Sequence, residues 1–84
     1  MNHLRIVAPS ERAPSVLELL ERRPSVLNVV HLPRAARKPP GDVILCDVVR
    51  EDTSVVLAEL RRLGLEQEGS ISLEETETDI SAAA

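Results

Sequence analysis

The stretch Asp42-Val43-Ile44-Leu45-Cys46-Asp47-Val48-Val49 is the most hydrophobic run of the chain. Its short length and its aliphatic composition predict a strand. Successive side chains of a strand point to opposite faces, so an outward Asp47 brings three aliphatic residues outward with it: Val43, Leu45 and Val49. The opposite phase stays open from the sequence, and it would turn outward Ile44, Cys46 and Val48.

The residues before this run predict a strand, a helix and another strand. His3 to Ala8 places its apolar residues mostly on one face, which is typical of a strand. An amphipathic pattern predicts a helix from about Glu11 to Arg22, with Ser10 as its N-cap. Val26 to Leu32 is predicted as the next strand, and Pro33 to Gly41 as a loop rich in proline, alanine and positive charge.

The residues after Val49 predict a second helix and a last strand. Helical periodicity extends from about Glu51 to Leu63, and Gly64 is expected in the left-handed conformation that ends many helices. Ser70 to Thr76 is predicted as the last strand. We therefore expect one folded domain over residues 1–76 and a flexible acidic and alanine-rich tail or linker over residues 77–84.

The order strand–helix–strand–strand–helix–strand is typical of two interleaved strand–helix–strand units. Right-handed crossovers then produce a four-stranded antiparallel sheet in the order 4-1-3-2, with both helices on one face. The predicted fold is therefore α+β, in the arrangement known as the ferredoxin-like βαββαβ sandwich.

The face of this sheet that lies away from the helices is predicted to be mostly aliphatic. An exposed aliphatic surface of that size is unusual on a monomer, so we expect two copies to pack sheet against sheet as a homodimer. On this face Arg5 and Asp47 are expected to pair between neighbouring strands. The predicted interface residues are Arg5, Val7, Val43, Leu45, Asp47 and Val49.

Length and composition exclude several classes of protein. The chain has 84 residues and one cysteine, which indicates a single domain without an internal disulfide and a reducing cytoplasm as its location. No apolar run approaches the roughly 20 residues that cross a bilayer, and no signal peptide is expected.

Charge and aromatic content argue against nucleic-acid binding. Residues 1–65 contain all ten basic residues and eight of the fourteen acidic ones, whereas residues 66–84 contain six acidic residues and no basic one. The acidic end should repel polyanions. RNA-binding domains of this topology stack bases on aromatic rings, and this chain has no Phe, Tyr or Trp.

The loop after the second predicted strand is the best candidate for ligand binding. Its three positive charges, Arg34, Arg37 and Lys38, lie between prolines and could hold a small anion such as a phosphate. A solvated connection without a ligand is the simpler interpretation, since no glycine-rich phosphate loop accompanies the charges.

The remaining chemically versatile side chains do not form a predicted catalytic or metal site. Cys46 lies between aliphatic residues and is expected to be a small buried side chain. His3 and His31 are on strands that are not neighbours in the predicted sheet, and they are expected to be solvated. We therefore predict no metal, no cofactor and no enzymatic activity.

Four phrases of the sequence resemble one known family. They are His3–Pro9, Val29–Ala36, Gly41–Val48, and Leu63–Leu65 followed by Gly69–Ile71. They are similar to the soluble N-terminal domain of a family of bacterial membrane proteins. This family is called the domain of unknown function numbered three-eight-nine, or the uncharacterised hydrophobic-domain family, and the similarity is greatest to its actinobacterial members. The resemblance implies a cytoplasmic domain followed by a multi-helix membrane region, with Ile80–Ala84 as the beginning of a linker.

The sequence thus predicts a non-catalytic regulatory or oligomerisation domain. Its expected partners are a second copy and the membrane region of the same parent protein. The alternative is a sensor of a small ligand or anion, resembling the amino-acid-binding and nitrogen-regulatory domains of this fold.

Overall fold

The sheet has four strands, β1 (Asn2–Ala8), β2 (Val26–Arg37), β3 (Pro40–Val48) and β4 (Ser70–Glu75). The computed structural model describes residues 1–76, and the predicted tail 77–84 lies outside the described residues. Neighbouring strands are antiparallel, and they lie in the order β2-β3-β1-β4. This is the predicted order counted from the other edge, so the α+β class and the sheet order are confirmed.

Helices connect the strands at the predicted places. α1 (Ala13–Arg22) joins β1 to β2, and α2 (Thr53–Arg62) follows β3 after a 3-10 turn at Arg50–Asp52. A third, four-residue helix, α3 (Leu65–Glu68), precedes β4 and is not predicted by the sequence pattern. Among the helices of residues 1–76, none combines the length and apolarity that crossing a membrane requires.

The core lies between the helices and one face of the sheet. β3 buries Ile44, Cys46 and Val48, so its phase is the one in which Asp47 faces away from the core. Branched aliphatic side chains and alanines fill the space that aromatic rings occupy in many domains. The core cluster consists of Leu4, Ile6, Ala8, Ala13, Val16, Leu19, Leu20, Val26, Ile44, Cys46, Val48, Val56, Leu60 and Leu65.

The start of α1 differs from the prediction that Ser10 is its N-cap. The helix begins at Ala13, and Arg12 occupies the N-cap position. Because Pro14 has no N–H group, it is best tolerated in the first helical turn, which favours a start next to it. Ser10 remains outside the helix, and its hydroxyl donates a hydrogen bond to Asp42.

The predicted loop Pro33–Gly41 is wrong, because β2 and β3 extend through it as a hairpin with a turn at Lys38–Pro39. Proline cannot donate a hydrogen bond to a neighbouring strand, but β2 is an edge strand, where Pro33 is tolerated. Two irregularities in the pairing of β2 with β3 accompany left-handed backbone at Asn28 (φ 55°) and Arg34 (φ 54°).

Two glycines near the start of β4 have different roles. Gly64 follows α2 in the predicted left-handed conformation, with φ 80°, and a Cβ added to it would meet a flexible oxygen of Glu68 at 3.2 Å. A Cβ added to Gly69 would lie 2.0 Å from the carbonyl oxygen of Val7. The backbone before β4 therefore approaches β1 too closely for any side chain.

Gly69→Ala is expected to lower the free energy of unfolding by about 2 kcal/mol or more, because β4 must move away from β1 to relieve the overlap. Gly64→Ala is the control, and it is expected to cost about 1 kcal/mol, which is near the usual penalty for left-handed backbone. Urea denaturation followed by far-ultraviolet circular dichroism measures both. Wild-type stability in Gly69→Ala would contradict the close approach.

Candidate functional site

The first candidate surface is the face of the sheet opposite the core cluster, and we call it the open face. Its residues follow from the register of the strands, because every second residue of each strand shares one side. They are His3, Arg5 and Val7 of β1, Leu27, Val30 and Leu32 of β2, Val43, Leu45 and Asp47 of β3, and Ser70, Ser72 and Glu74 of β4.

The half of the open face formed by β2 and β3 is aliphatic apart from Asp47. Val30 and Leu32 expose 44% and 43% of their surface, and Val43 and Leu45 of β3 are half-buried beside them. The described helices all pack on the other side of the sheet, so this apolar surface faces solvent. Such a surface is typical of a protein–protein contact.

The half formed by β1 and β4 is polar. Arg5 is exposed and lies between Leu45 of β3 and Ser72 of β4. Glu74 is also exposed and pairs in register with His3. The open face therefore joins an aliphatic half to a half that carries charges of both signs.

Asp47 has different partners from those predicted. Within residues 1–76, no ion pair joins it to Arg5, because the register places Asp47 opposite His3 and Arg5 opposite Leu45. The Nδ1 atom of His3 lies 2.9 Å from one carboxylate oxygen of Asp47, and the amide nitrogen of Asn28 donates to the other at 2.8 Å. The side chain of His3 is 37% exposed, so it is partly solvated as predicted, but the sequence did not predict its contact with Asp47.

The structure brings together five of the six predicted interface residues and leaves out one. Val49 lies one residue beyond the end of β3, where its N–H group donates to the carbonyl of Ser25 at 3.0 Å. Sequence reasoning missed Val30 and Leu32, although their alternation with His31 is the signal that could have found them.

A second cluster of polar groups surrounds Asp42 at the other end of β3, on the core side. One carboxylate oxygen accepts hydrogen bonds from the Ser10 hydroxyl at 2.5 Å and from the Arg34 N–H at 3.0 Å. The other lies 2.7 Å from Nε2 of His31. These contacts, the Ser10 hydrogen bond above all, lower the pKa of the Asp42 carboxyl to about 2.

The arrangement of Ser10, Asp42 and His31 is not that of a nucleophilic triad. A catalytic serine needs a base bonded to its hydroxyl, whereas here the hydroxyl donates to Asp42, and His31 contacts the opposite carboxylate oxygen. Asp42 is 4% exposed and connects three segments: the β1–α1 turn, β2 and β3. Its role is to hold the hairpin against the body of the domain.

A third cluster joins the turn between α1 and β2 to α2. Arg23 donates to both carboxylate oxygens of Asp52, at 3.1 and 3.2 Å, and to Glu59 at 3.0 Å. Ser25 donates a further hydrogen bond to Asp52. The Arg23 hydrogen bonds hold the pKa of the Asp52 carboxyl below its usual value. The single guanidinium of Arg23 bonds both carboxylates, so the cluster is a structural connection.

The three predicted ligand-binding cations do not converge. Arg34 lines an open groove of about 710 Å³ between the hairpin and the β1–α1 turn, whereas Arg37 and Lys38 are exposed at the end of the hairpin. The groove is also lined by Glu11, which disfavours an anion, and by Glu68, whose carboxylate is paired with Arg12 at 2.7 Å.

Cys46 is fully buried, as predicted, and burial raises the pKa of its thiol to about 12. A thiol of this kind is a poor nucleophile and a poor metal ligand. No group of three or more His, Cys, Asp or Glu side chains within residues 1–76 is arranged to hold a metal ion.

In comparisons with known proteins, no family model matches the chain, and no similar curated protein or solved structure is found. The functional argument therefore depends on the geometry of the described residues. Among the features above, the Asp42 and Arg23 clusters are explained by contacts within the chain, and the aliphatic half of the open face is not.

Asp42→Asn is expected to lower the free energy of unfolding at pH 7 by about 2 kcal/mol. The substitution replaces a charged acceptor by a neutral amide, and hydrogen bonds to the neutral group are weaker. Because the carboxyl pKa is lower in the folded state, its ionisation stabilises the fold at pH values above the unfolded-state pKa of about 4. This stabilisation is lost as the pH falls towards 2. The difference between variant and wild type should therefore shrink between pH 4 and pH 2 in urea denaturation. A difference that is independent of pH would contradict the assignment.

Cys46 is expected to resist thiol-specific reagents in the native protein and to react at once in urea, because the buried thiol is neither ionised nor accessible. The rate of reaction with a disulfide reagent at pH 8, with and without urea, measures this. Rapid reaction without urea would show that the core around β3 opens readily.

Proposed function

We propose that this chain is a non-catalytic regulatory and oligomerisation domain that forms a homodimer through its open face. The observation that carries the proposal is the exposed aliphatic half formed by Val30, Leu32, Val43 and Leu45. Burying such a surface against an identical one removes apolar area from water on both copies at once.

The size of the open face supports a weak but specific dimer. Four strands about 4.8 Å apart and seven residues long at about 3.3 Å each cover roughly 440 Å², so two copies bury on the order of 1,000 Å². This is the lower limit for a specific interface. A dissociation constant in the micromolar range is therefore expected.

The fold and the location of the domain form part of the same proposal. The sheet order and the helices on one side support a ferredoxin-like sandwich. We further propose membership of the family to which the sequence phrases are similar, with a cytoplasmic position next to a membrane region of the parent protein. In that setting, self-association of the domain would bring two membrane regions together.

A sensor of small anions has less support. The groove beside Arg34 carries the two acidic side chains of Glu11 and Glu68 along its walls. The other two cations of the hairpin, Arg37 and Lys38, lie at its exposed end. Because Glu68 is paired with Arg12 at 2.7 Å, Arg34 and Glu11 are the other charges that an anion in this groove would meet, and they leave no excess of positive charge.

Val30→Asp is expected to weaken the dimer by at least about tenfold, because it places a charge in the aliphatic half of the interface. The matched control is Val55→Asp. Val55 is a valine of α2 with the same 44% exposure, but it lies away from the open face. Sedimentation equilibrium from 1 to 500 μM on the full chain measures both variants against wild type.

A wild-type protein that stays monomeric at 500 μM would refute the homodimer. Equal weakening by Val30→Asp and Val55→Asp would refute the open face as the interface.

A further inference from the structure

We infer that, in the proposed dimer, Arg5 of each copy forms an ion pair with Asp47 of the other copy. This inference rests on the proposed self-association and adds the contact that sets how the two sheets are oriented. The pairing expected from the sequence within one chain is thereby formed between two chains.

Within residues 1–76, Arg5 is a charged residue of the open face without an ion-pair partner. It is exposed, and it projects from the open face beside Leu45. A guanidinium that is buried without an opposite charge destabilises an interface strongly. A dimer that covers the open face must therefore supply a carboxylate to Arg5.

The open face carries two carboxylates, and symmetry distinguishes them. When two identical sheets face each other, the two-fold axis lies between them and parallel to both. It passes through the midpoint between any residue and the same residue of the other copy. If Arg5 meets Glu74, the axis passes midway between these two residues and crosses the strands obliquely, and the aliphatic half of the face falls outside the contact. Such a dimer would bury the polar residues and expose the apolar ones.

If Arg5 meets Asp47, the axis passes midway between these two residues, crosses the strands obliquely and lies close to Leu45. Leu45 then contacts its own copy, and Val30, its cross-strand neighbour, lies next to that contact. One orientation of the two sheets therefore both forms the ion pair and buries the aliphatic residues. An axis that crosses the strands at the level of Arg5 would instead place the two Arg5 side chains against each other.

Asp47 is prepared to accept a guanidinium. A carboxylate has about four acceptor positions, and His3 and Asn28 occupy one on each oxygen of Asp47. These two contacts hold the carboxylate in place before the partner arrives, so less side-chain freedom is lost on binding. The side chain of Asp47 is 17% exposed, so part of it remains accessible to a second copy.

The test exchanges the charges on separate chains. Arg5→Glu and Asp47→Arg are each expected to weaken self-association at least tenfold, because each creates like charges across the interface. An equimolar mixture of the two variants restores opposite charges at both contacts, and heterodimers are expected with near wild-type affinity. Native mass spectrometry of full-length chains, one of them isotopically labelled, separates homodimers from heterodimers.

The control mixture combines Arg62→Glu with Glu18→Arg, which change the net charges equally at exposed positions on the helices. It is expected to give a statistical mixture of homodimers and heterodimers. Preferential heterodimers in this control would show that overall charge, and not the Arg5–Asp47 contact, drives the pairing.

Two outcomes would overturn the inference while wild type remains dimeric. One is a mixture of Arg5→Glu and Asp47→Arg that stays monomeric, and the other is rescue of Arg5→Glu by Glu74→Arg instead. If Asp47→Arg does not fold, Asp47→Asn replaces it in a double-mutant cycle with Arg5→Ala, and additive losses overturn the inference. A monomeric wild type refutes the proposed function itself.

Discussion

The antiparallel pairing of β1 with β3 is the constraint on which the rest of the structure depends. Seven consecutive residue pairs, from Asn2–Val48 to Ala8–Asp42, lock the two inner strands in register. A slip by one residue would exchange the two faces, turning Leu4 and Ile6 towards solvent and Arg5 into the core. The register therefore decides at once which side the helices cover and which side is left for another molecule.

Polar contacts at the ends of these two strands fix the elements around them. Asp42 holds the β1–α1 turn and the hairpin at one end, and Asp47 holds Asn28 on β2 towards the other. Because a small aliphatic core gives only a modest free energy of unfolding, a few charge-assisted hydrogen bonds make up a large part of it. The two aspartates thus have similar bonding but lie on opposite faces of the sheet.

The order of the elements and the handedness of crossovers predicted the sheet order. Alternation and helical spacing predicted most of the core, because burial of Leu4 and Ile6 follows from the pattern of a single strand. The hairpin was missed because Pro33 and the basic residues after it are typical of a loop, and only the position of β2 at the edge makes them acceptable in a strand. The histidine–aspartate contacts were missed because they depend on register, which one sequence does not specify.

The irregular backbone of β2 has a consequence for how the molecule can associate. A regular edge strand offers its free N–H and carbonyl groups to any other extended chain, and this is a common route to fibrils. The left-handed residues Asn28 and Arg34, with Pro33 beside the second, interrupt that row of groups along the edge. Lateral growth of the sheet past β2 is therefore disfavoured, and the molecule can keep an exposed aliphatic surface with less risk of amyloid-like polymerisation from this side.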